Sequence, residues 1–143
     1  MKNFIFLFTI SLFLFSCEVK PKEINYGDDH CKFCDMTVVD KTHAAQYVTK
    51  KGKAYMFDAI ECLVREIVRN DIESTLEFIL VADYSDPGKL INATTATYLI
   101  SEGIKSPMGE NLSAFSNEKN AKEFQIEHTG DIYTWEELKK IIK

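Results

Sequence analysis

The stretch AAQYVTKKGKAYMF, residues 44–57, predicts a β-hairpin. Two segments rich in strand-forming side chains flank the turn KKGK, in which Gly52 supplies the backbone freedom that a tight turn needs. TVVD, residues 37–40, is further strand-like material just before the hairpin. A sheet therefore begins soon after residue 37.

A helix is expected to follow the hairpin directly. Asp58 stands where a helix N-cap belongs and Glu61 follows three residues later, which predicts a capping box. One helical face then carries the apolar side chains Ile60, Leu63, Val64, Ile67 and Val68. FILVADY, residues 78–84, predicts the third strand, and the loop SDPGKLINATT follows it. These elements make a β-β-α-β unit.

The remainder of the chain repeats this order of elements. ATYLIS and LSAF predict strands on either side of the loop SPMGEN, Ser116 is expected to cap a helix over residues 117–128, and DIY predicts a short strand. Thr134 and Glu137 predict a capping box for a last helix. The predicted fold class is α+β, with two repeated β-β-α-β units packed together, over residues 30–86 and 87–143, and a C-terminal helix.

The first 16 residues have the pattern of a secretory signal peptide: one lysine, a short apolar run and a small residue at Ser16. The run ends in LFSC, which resembles the lipobox of bacterial lipoproteins and marks Cys17 as a lipidation site. Residues 17–29 are polar and predict a tether. The expected location is outside the cytoplasm, on a bacterial membrane and facing the periplasm.

Composition excludes several functions. The 143 residues include 22 acidic and 17 basic ones, a net charge of −5 that becomes −6 without residues 1–16, and no basic stripe suits a nucleic-acid partner. The sequence contains no glycine-rich phosphate loop and no G-x-S-x-G motif. We therefore expect a protein that is not an enzyme and does not bind nucleic acid.

The stretch DDHCKFCDM, residues 28–36, holds the candidate chemistry. Cys31 and Cys34 form a C-x-x-C pair, which either binds one metal ion or forms a disulfide in an oxidising compartment. A closed zinc site is disfavoured because no second pair follows. Met36 adds a thioether two residues after Cys34, and in an extended segment both side chains would share a face. Thiolate and thioether ligands together select Cu(I), and His30 is an additional candidate ligand.

Four further sulfur-containing or imidazole side chains bear on this site. Met108 lies in the Pro-Gly loop KSPMGE, off any periodic element, and is a candidate ligand from the second unit. Cys62 falls opposite the apolar helical stripe, so its side chain is expected outside the core. It is a second-tier candidate, either as a metal ligand or as a disulfide partner. His43 and His128 are expected on the surface.

A metal-free, disulfide-bonded interaction lipoprotein and a thiol redox protein remain alternative functions.

CKFCDM, DAIEC, DPGKLINATTATYL and KSPMGENLSAFS together resemble the NosL family of copper-binding lipoproteins, over about residues 30–128. The resemblance implies a Cu(I)-binding accessory protein for assembly of nitrous oxide reductase or another copper protein. It also implies two β-β-α-β units and a ligand set of Cys34, Met36 and Met108, with Cys31 close behind. Asp35 stands where the family usually has glycine.

Overall fold

The computed structural model describes residues 18–142. The predicted signal peptide and lipidation site, residues 1–16 and Cys17, lie outside the described residues. Between residues 18 and 142, no helix combines the length and the apolar character that crossing a bilayer requires.

The described chain forms strands and helices in the order that the sequence predicts, with one additional strand. The strands are β1 Ala45–Thr49, β2 Ala54–Phe57, β3 Leu76–Ala82, β4 Leu90–Asn92, β5 Thr97–Ile100, β6 Leu112–Phe115 and β7 Asp131–Tyr133. The α-helices are α1 Ile60–Asn70, α2 Glu118–His128 and α3 Trp135–Ile141, and a short 3-10 helix, Glu73–Thr75, precedes β3.

Two antiparallel sheets organise these strands, one in the order β2-β1-β3-β4 and the other in the order β6-β5-β7. In each, the first strand of a unit lies between the second and the third, so the two units share one topology. The predicted α+β class with a C-terminal helix is confirmed. Strand β4 lies in the segment predicted as a loop, where Leu90 pairs with Ala82 of β3.

Helix α1 lies between the two units. It contacts β1 and β2 of its own sheet and β6 and α3 of the second unit. The main core cluster accordingly draws on both halves of the chain, with Leu63 and Ile67 from α1, Leu112 from β6 and Trp135 from α3. Because it is covered on several sides, the first turn of α1 is buried almost all round.

The segment before the cysteine pair packs against the first unit. Ile24 is buried with Val38 and Ala44. The backbone N–H of Lys22 donates to the Gln46 side chain over 2.9 Å, and that amide donates back to the Lys22 carbonyl over 2.7 Å. The stretch predicted as a tether, residues 17–29, is thus attached to the domain from Lys22 onward.

The structure corrects the predicted start of α1. Its N-cap is Ala59, with no side-chain cap, so Asp58 and Glu61 do not form a capping box. Both carboxylates are instead buried, where they face other loops. The segment 37–40 is also not a strand, since Thr37 makes only an isolated bridge to His30.

Of the two other predicted helix caps, the structure corrects one and confirms one. Helix α2 is capped by Asn117 rather than Ser116, because the Asn117 side chain accepts a hydrogen bond from the backbone N–H of Asn120. The capping box of Thr134 and Glu137 on α3 is confirmed.

His43 is buried, not on the surface as predicted. Its Nδ1 lies 2.7 Å from Oδ2 of Asp40, and its Nε2 lies 3.3 Å from Oγ of Ser113 on β6. These three polar groups satisfy one another and connect the first unit to the second, which is why an imidazole is tolerated there. His128, in the last turn of α2, is partly exposed.

Candidate metal centre

The C-x-x-C segment is a closed loop. The Cys31 N–H donates to the Met36 carbonyl over 2.8 Å, and the Asp35 N–H donates to the Cys31 carbonyl over 2.9 Å. Asp35 has φ +64°, the left-handed region in which glycine is the most comfortable residue. The Lys32 N–H donates to the Met56 carbonyl over 2.9 Å, which attaches the loop to the end of β2.

The same end of β2 leads into the second part of the site. Phe57 ends the strand, Asp58 follows it, and α1 begins two residues later at Ile60. Cys62 therefore lies in the first turn of α1, close to the strand end that holds the C-x-x-C loop. One local connection, from β2 into α1, brings Asp58 and Cys62 to the loop.

Four potential ligands converge here. The Sγ atoms of Cys31, Cys34 and Cys62 and a carboxylate oxygen of Asp58 all lie within 4.8 Å of one another. Cys31, Cys62 and Asp58 are buried, whereas Cys34 is partly exposed. All three cysteines carry free thiols. We call these four side chains the thiol cluster; they are Cys31, Cys34, Asp58 and Cys62.

One carboxylate oxygen in the thiol cluster is poorly satisfied. The Cys34 thiol donates to Oδ1 of Asp58 over 3.3 Å, but the buried Oδ2 has no hydrogen-bond partner among the described residues. A buried carboxylate oxygen without a partner is costly. Three thiols and such an oxygen form a donor set that fits a thiophilic metal ion.

Hydrogen bonding and burial separate the thiol pKa values. A hydrogen bond donated by Cys62 is the main cause that lowers the pKa of Cys31 to about 6. Burial is the main cause that raises the pKa of Cys34 to about 11. The pKa of Cys62 is raised because its hydrogen is held by Cys31 and because it is buried. This arrangement of hydrogen bonds therefore favours the thiolate form at Cys31 and the thiol form at Cys34 and Cys62.

Met36 and His30 lie at the outer side of the loop. The Met36 side chain is 50% exposed. The left-handed Asp35 interrupts the backbone between Cys34 and Met36, so the extended geometry that would give them a common face is absent. His30 is exposed, and its Nδ1 lies 3.1 Å from the Asp35 carbonyl oxygen. His30 is outside the thiol cluster.

Met108 lies in a loop of the second unit that packs against α1. It is half-buried and packs, like Cys34, against the main core cluster, which includes Cys31 and Cys62. Its loop is attached to α1 at two points. The Ser106 hydroxyl donates to the buried Glu61 carboxylate, and an Arg65–Glu110 ion pair closes the other side. The loop is therefore held over the helical turn that carries Cys62.

The sequence pattern gives no metal-binding role to Asp58 and only a secondary one to Cys62. It predicts a helix cap at Asp58 and a position outside the core for Cys62, because Cys62 lies opposite the apolar stripe. Cys62 is instead fully buried, since the C-x-x-C loop covers that face of α1. Helical spacing gives no signal that pairs them, because Asp58 precedes the N-cap Ala59 and lies outside α1.

Comparison with known proteins gives a consistent result. The model of the NosL family matches residues 21–142. The copper-binding lipoprotein NosL of Stutzerimonas stutzeri is 28% identical over 120 residues, which cover 79% of this chain and 63% of that protein. This chain thus spans less than two thirds of that relative's length.

A solved structure shares the fold. The crystal structure of the copper chaperone NosL from Shewanella denitrificans superposes with a TM-score of 0.73 at 22% sequence identity. The match covers 84% of this chain and 96% of the other. At this identity the likeness concerns the fold alone.

Proposed function

Because the chain belongs to the NosL family, we propose that it is a membrane-anchored metallochaperone that carries Cu(I) at the thiol cluster and passes it to a copper enzyme. The observation that carries this proposal is the convergence of three thiols and one carboxylate within 4.8 Å, from segments that are distant in sequence. The names of its relatives, a copper-binding lipoprotein and a copper chaperone, support it.

The choice of Cu(I) rests on ligand softness and charge. Three thiolates, two of them buried, and a buried carboxylate around one monovalent ion would leave a large uncompensated negative charge at the edge of the core, which burial strongly disfavours. Two thiolates and a neutral thioether leave a single negative charge. We therefore propose Cys31 and Cys34 as the thiolate ligands, with Met36 and Met108 as thioether ligands. Met36 would turn inward from its exposed position when the ion binds. Thioethers favour Cu(I) over zinc.

In this scheme Cys62 and Asp58 are not ligands but hydrogen-bond partners of the ligand cysteines, Cys31 and Cys34. Cys62 donates its hydrogen to the Cys31 thiolate, and Asp58 accepts the hydrogen of Cys34. Such hydrogen-bond partners orient ligands and tune their basicity. Asp58 is then the first acceptor on the path by which Cys34 loses its proton when Cu(I) arrives.

Uneven burial of the ligands suits transfer of the ion. Cys31 lies at the bottom of the site, whereas Cys34 is partly exposed and Met36 is half exposed. Cu(I) can therefore be approached by an incoming ligand from the side of Cys34 and Met36, and leave by stepwise ligand exchange. The proposed acceptor is nitrous oxide reductase or another copper protein.

Attachment to the membrane is the second part of the proposal. The LFSC sequence and the name of the Stutzerimonas relative support a lipid on Cys17. The protein would then face the periplasm from a bacterial membrane. Replacement of Cys17 by serine should release it from membranes that are washed with high salt, and retention of Cys17→Ser on the membrane would contradict the anchor.

The two alternative functions make different demands on the thiols. A redox role would use the low pKa of Cys31, but that side chain is only 2% exposed. A disulfide-bonded interaction protein would contain oxidised cysteines after anaerobic purification and would take up no metal.

Anaerobic titration of the reduced full-length chain with Cu(I), in competition with a chromophoric chelator, tests the proposal. We expect one tightly held Cu(I) per chain and preference for Cu(I) over Zn²⁺ in metal analysis. Cys34→Ser should weaken binding strongly. Absence of binding, or tighter binding of zinc, would refute the copper function.

A further inference from the structure

An exposed group of lysines lies at the end of the domain where the described chain begins. It is formed by the segment after Glu18 and by the β1–β2 turn, and we call it the lysine patch: Lys20, Lys22, Lys50, Lys51 and Lys53. Only two acidic residues, Glu18 and Glu23, lie in these segments, and Glu18 pairs with Lys20 at 2.8 Å. The lysine patch stands out because the chain as a whole carries a net charge of −5.

The structure fixes the lysine patch as one surface. Two hydrogen bonds join Lys22 to Gln46 of β1. The Val19 side chain lies 4.0 Å from where a Cβ on Gly52 would stand, at the tip of the turn. Lys50 donates to the Ser74 carbonyl over 2.8 Å, and the Lys53 ammonium lies 4.8 Å from the Tyr55 ring centroid. The two segments therefore present their charges together.

Its position relative to Cys17 indicates what it faces. Lys20 is three residues after Cys17, so the two are separated by roughly 10 Å at most. This is about one Debye length at an ionic strength of about 0.1 M. If Cys17 is held at a lipid headgroup, the lysine patch lies within the electrostatic field of an anionic bilayer surface.

We propose that the lysine patch binds the anionic phospholipid headgroups of the membrane to which the chain is anchored. Each lysine near a charged bilayer strengthens association by roughly fivefold. The patch would thereby orient the domain as well as hold it. The proposal rests on the lipid anchor proposed above and is independent of copper.

The test uses the full chain, expressed with its own leader and purified from membranes in detergent. It is reconstituted with vesicles of phosphatidylcholine alone, or of phosphatidylcholine mixed with phosphatidylglycerol. Flotation reports attachment to the vesicles. An amine-reactive label that does not cross membranes, read by mass spectrometry, reports exposure of Lys51 and Lys53. Lys119 and Lys122 on α2 are the internal reference.

We expect flotation with both vesicles, and several-fold protection of Lys51 and Lys53 only with phosphatidylglycerol. That protection should disappear in high salt, while labelling of Lys119 and Lys122 stays constant. Flotation with both vesicles, but equal labelling of Lys51 and Lys53 in both, would overturn phospholipid binding by the lysine patch and would not contradict the anchor. Flotation only with phosphatidylglycerol, lost in salt, would support the patch and refute the anchor. Flotation with neither would refute both.

A matched pair of variants excludes a general effect of charge. The variant K20Q/K51Q/K53Q should still float with both vesicles but lose the phosphatidylglycerol-dependent protection of its remaining patch lysines, Lys22 and Lys50. The variant K89Q/K119Q/K122Q removes the same number of charges elsewhere and should behave as the wild type. An equal loss in both variants would overturn the assignment to this surface.

Discussion

The Cys34 thiol donates a hydrogen bond to the Asp58 carboxylate over 3.3 Å, although the two residues lie 24 positions apart. The contact joins the C-x-x-C loop to the junction between β2 and α1. It also satisfies one oxygen of a carboxylate whose other oxygen is buried without a partner among residues 18–142. The loop and the helix start therefore depend on each other chemically as well as sterically.

We predict that Asp58→Asn lowers Cu(I) affinity by about tenfold to a hundredfold, as is typical when a group behind a metal ligand is altered. Asparagine preserves the shape but removes the charge that accepts the Cys34 hydrogen. Chelator competition measures the affinity, and circular dichroism verifies the fold. Asp71→Asn is the control, because Asp71 lies in the left-handed C-cap of α1, which asparagine also adopts readily. Unchanged affinity in Asp58→Asn would remove Asp58 from the site.

The second prediction separates two roles for Cys62. If its thiol stabilises the Cys31 thiolate by a hydrogen bond, Cys62→Ala should raise the pKa of Cys31 from about 6 toward the ordinary value of 9.0. Cys62→Ser retains an O–H donor and should preserve much of the lowered pKa. Near-ultraviolet thiolate absorbance of the metal-free protein, followed against pH, measures this change.

The same variants report on copper. As a hydrogen-bond donor, Cys62 should be replaceable by serine with little loss of Cu(I) affinity, whereas alanine should weaken binding. If Cys62 is instead a ligand, alanine and serine should weaken Cu(I) binding alike. Equal, large losses would therefore assign Cys62 to the metal and contradict the two-thiolate scheme.

The third prediction concerns pH. Cys34 is protonated at neutral pH, with a pKa of about 11, and Cys31 is ionised above a pKa of about 6. Binding of Cu(I) to both should release one proton between pH 7 and 9, so apparent affinity should rise about tenfold per pH unit. Below pH 6 the slope should approach two protons, because Cys31 must then also ionise. Two protons released at pH 8 would indicate that Cys62 ionises as well.

Asp35 gives a prediction about the loop itself. Its φ of +64° is a conformation that glycine adopts without the Cβ penalty. Because the side chain is exposed, Asp35→Gly should raise the free energy of unfolding by up to about 1 kcal/mol and Asp35→Ala should lower it by a similar amount. Urea denaturation measures both. Destabilisation by glycine would show that the Asp35 carboxylate stabilises the loop.

Local sequence patterns predict most of the fold, because hairpin turns, helical periodicity and the Thr134 capping box are encoded by neighbouring residues. These predictions fail where a distant segment packs over a residue and changes its role. Asp58 resembles a cap in sequence, but burial against Cys34 gives it another role. Cys62 lies opposite an apolar stripe, yet the loop carrying Cys31 covers that face. The periodicity of a single helix cannot reveal what a distant loop places against it.

The last prediction concerns Met108. Leucine preserves most of the volume and the apolar character while removing the sulfur, so Met108→Leu should change stability by less than about 1.5 kcal/mol. Cu(I) affinity should nevertheless fall if the thioether completes the site. Met56→Leu is the matched control: Met56 lies in β2, and its sulfur accepts a hydrogen bond from Gln46 at 3.0 Å rather than belonging to the proposed ligands.

The loop that carries Met108 offers an independent check. Ser106→Ala removes the hydroxyl that donates to the buried Glu61 carboxylate and receives the Asn111 N–H over 2.9 Å, but leaves the sulfur in place. If the loop must hold the Met108 sulfur in place, Ser106→Ala should weaken Cu(I) binding in the wild type. It should have little further effect in Met108→Leu, because that variant already lacks the sulfur ligand. Additive losses in the double variant would show that Ser106 acts on copper binding independently of Met108. A changed melting temperature with unchanged copper affinity in Met108→Leu would show that Met108 serves the core and not the metal.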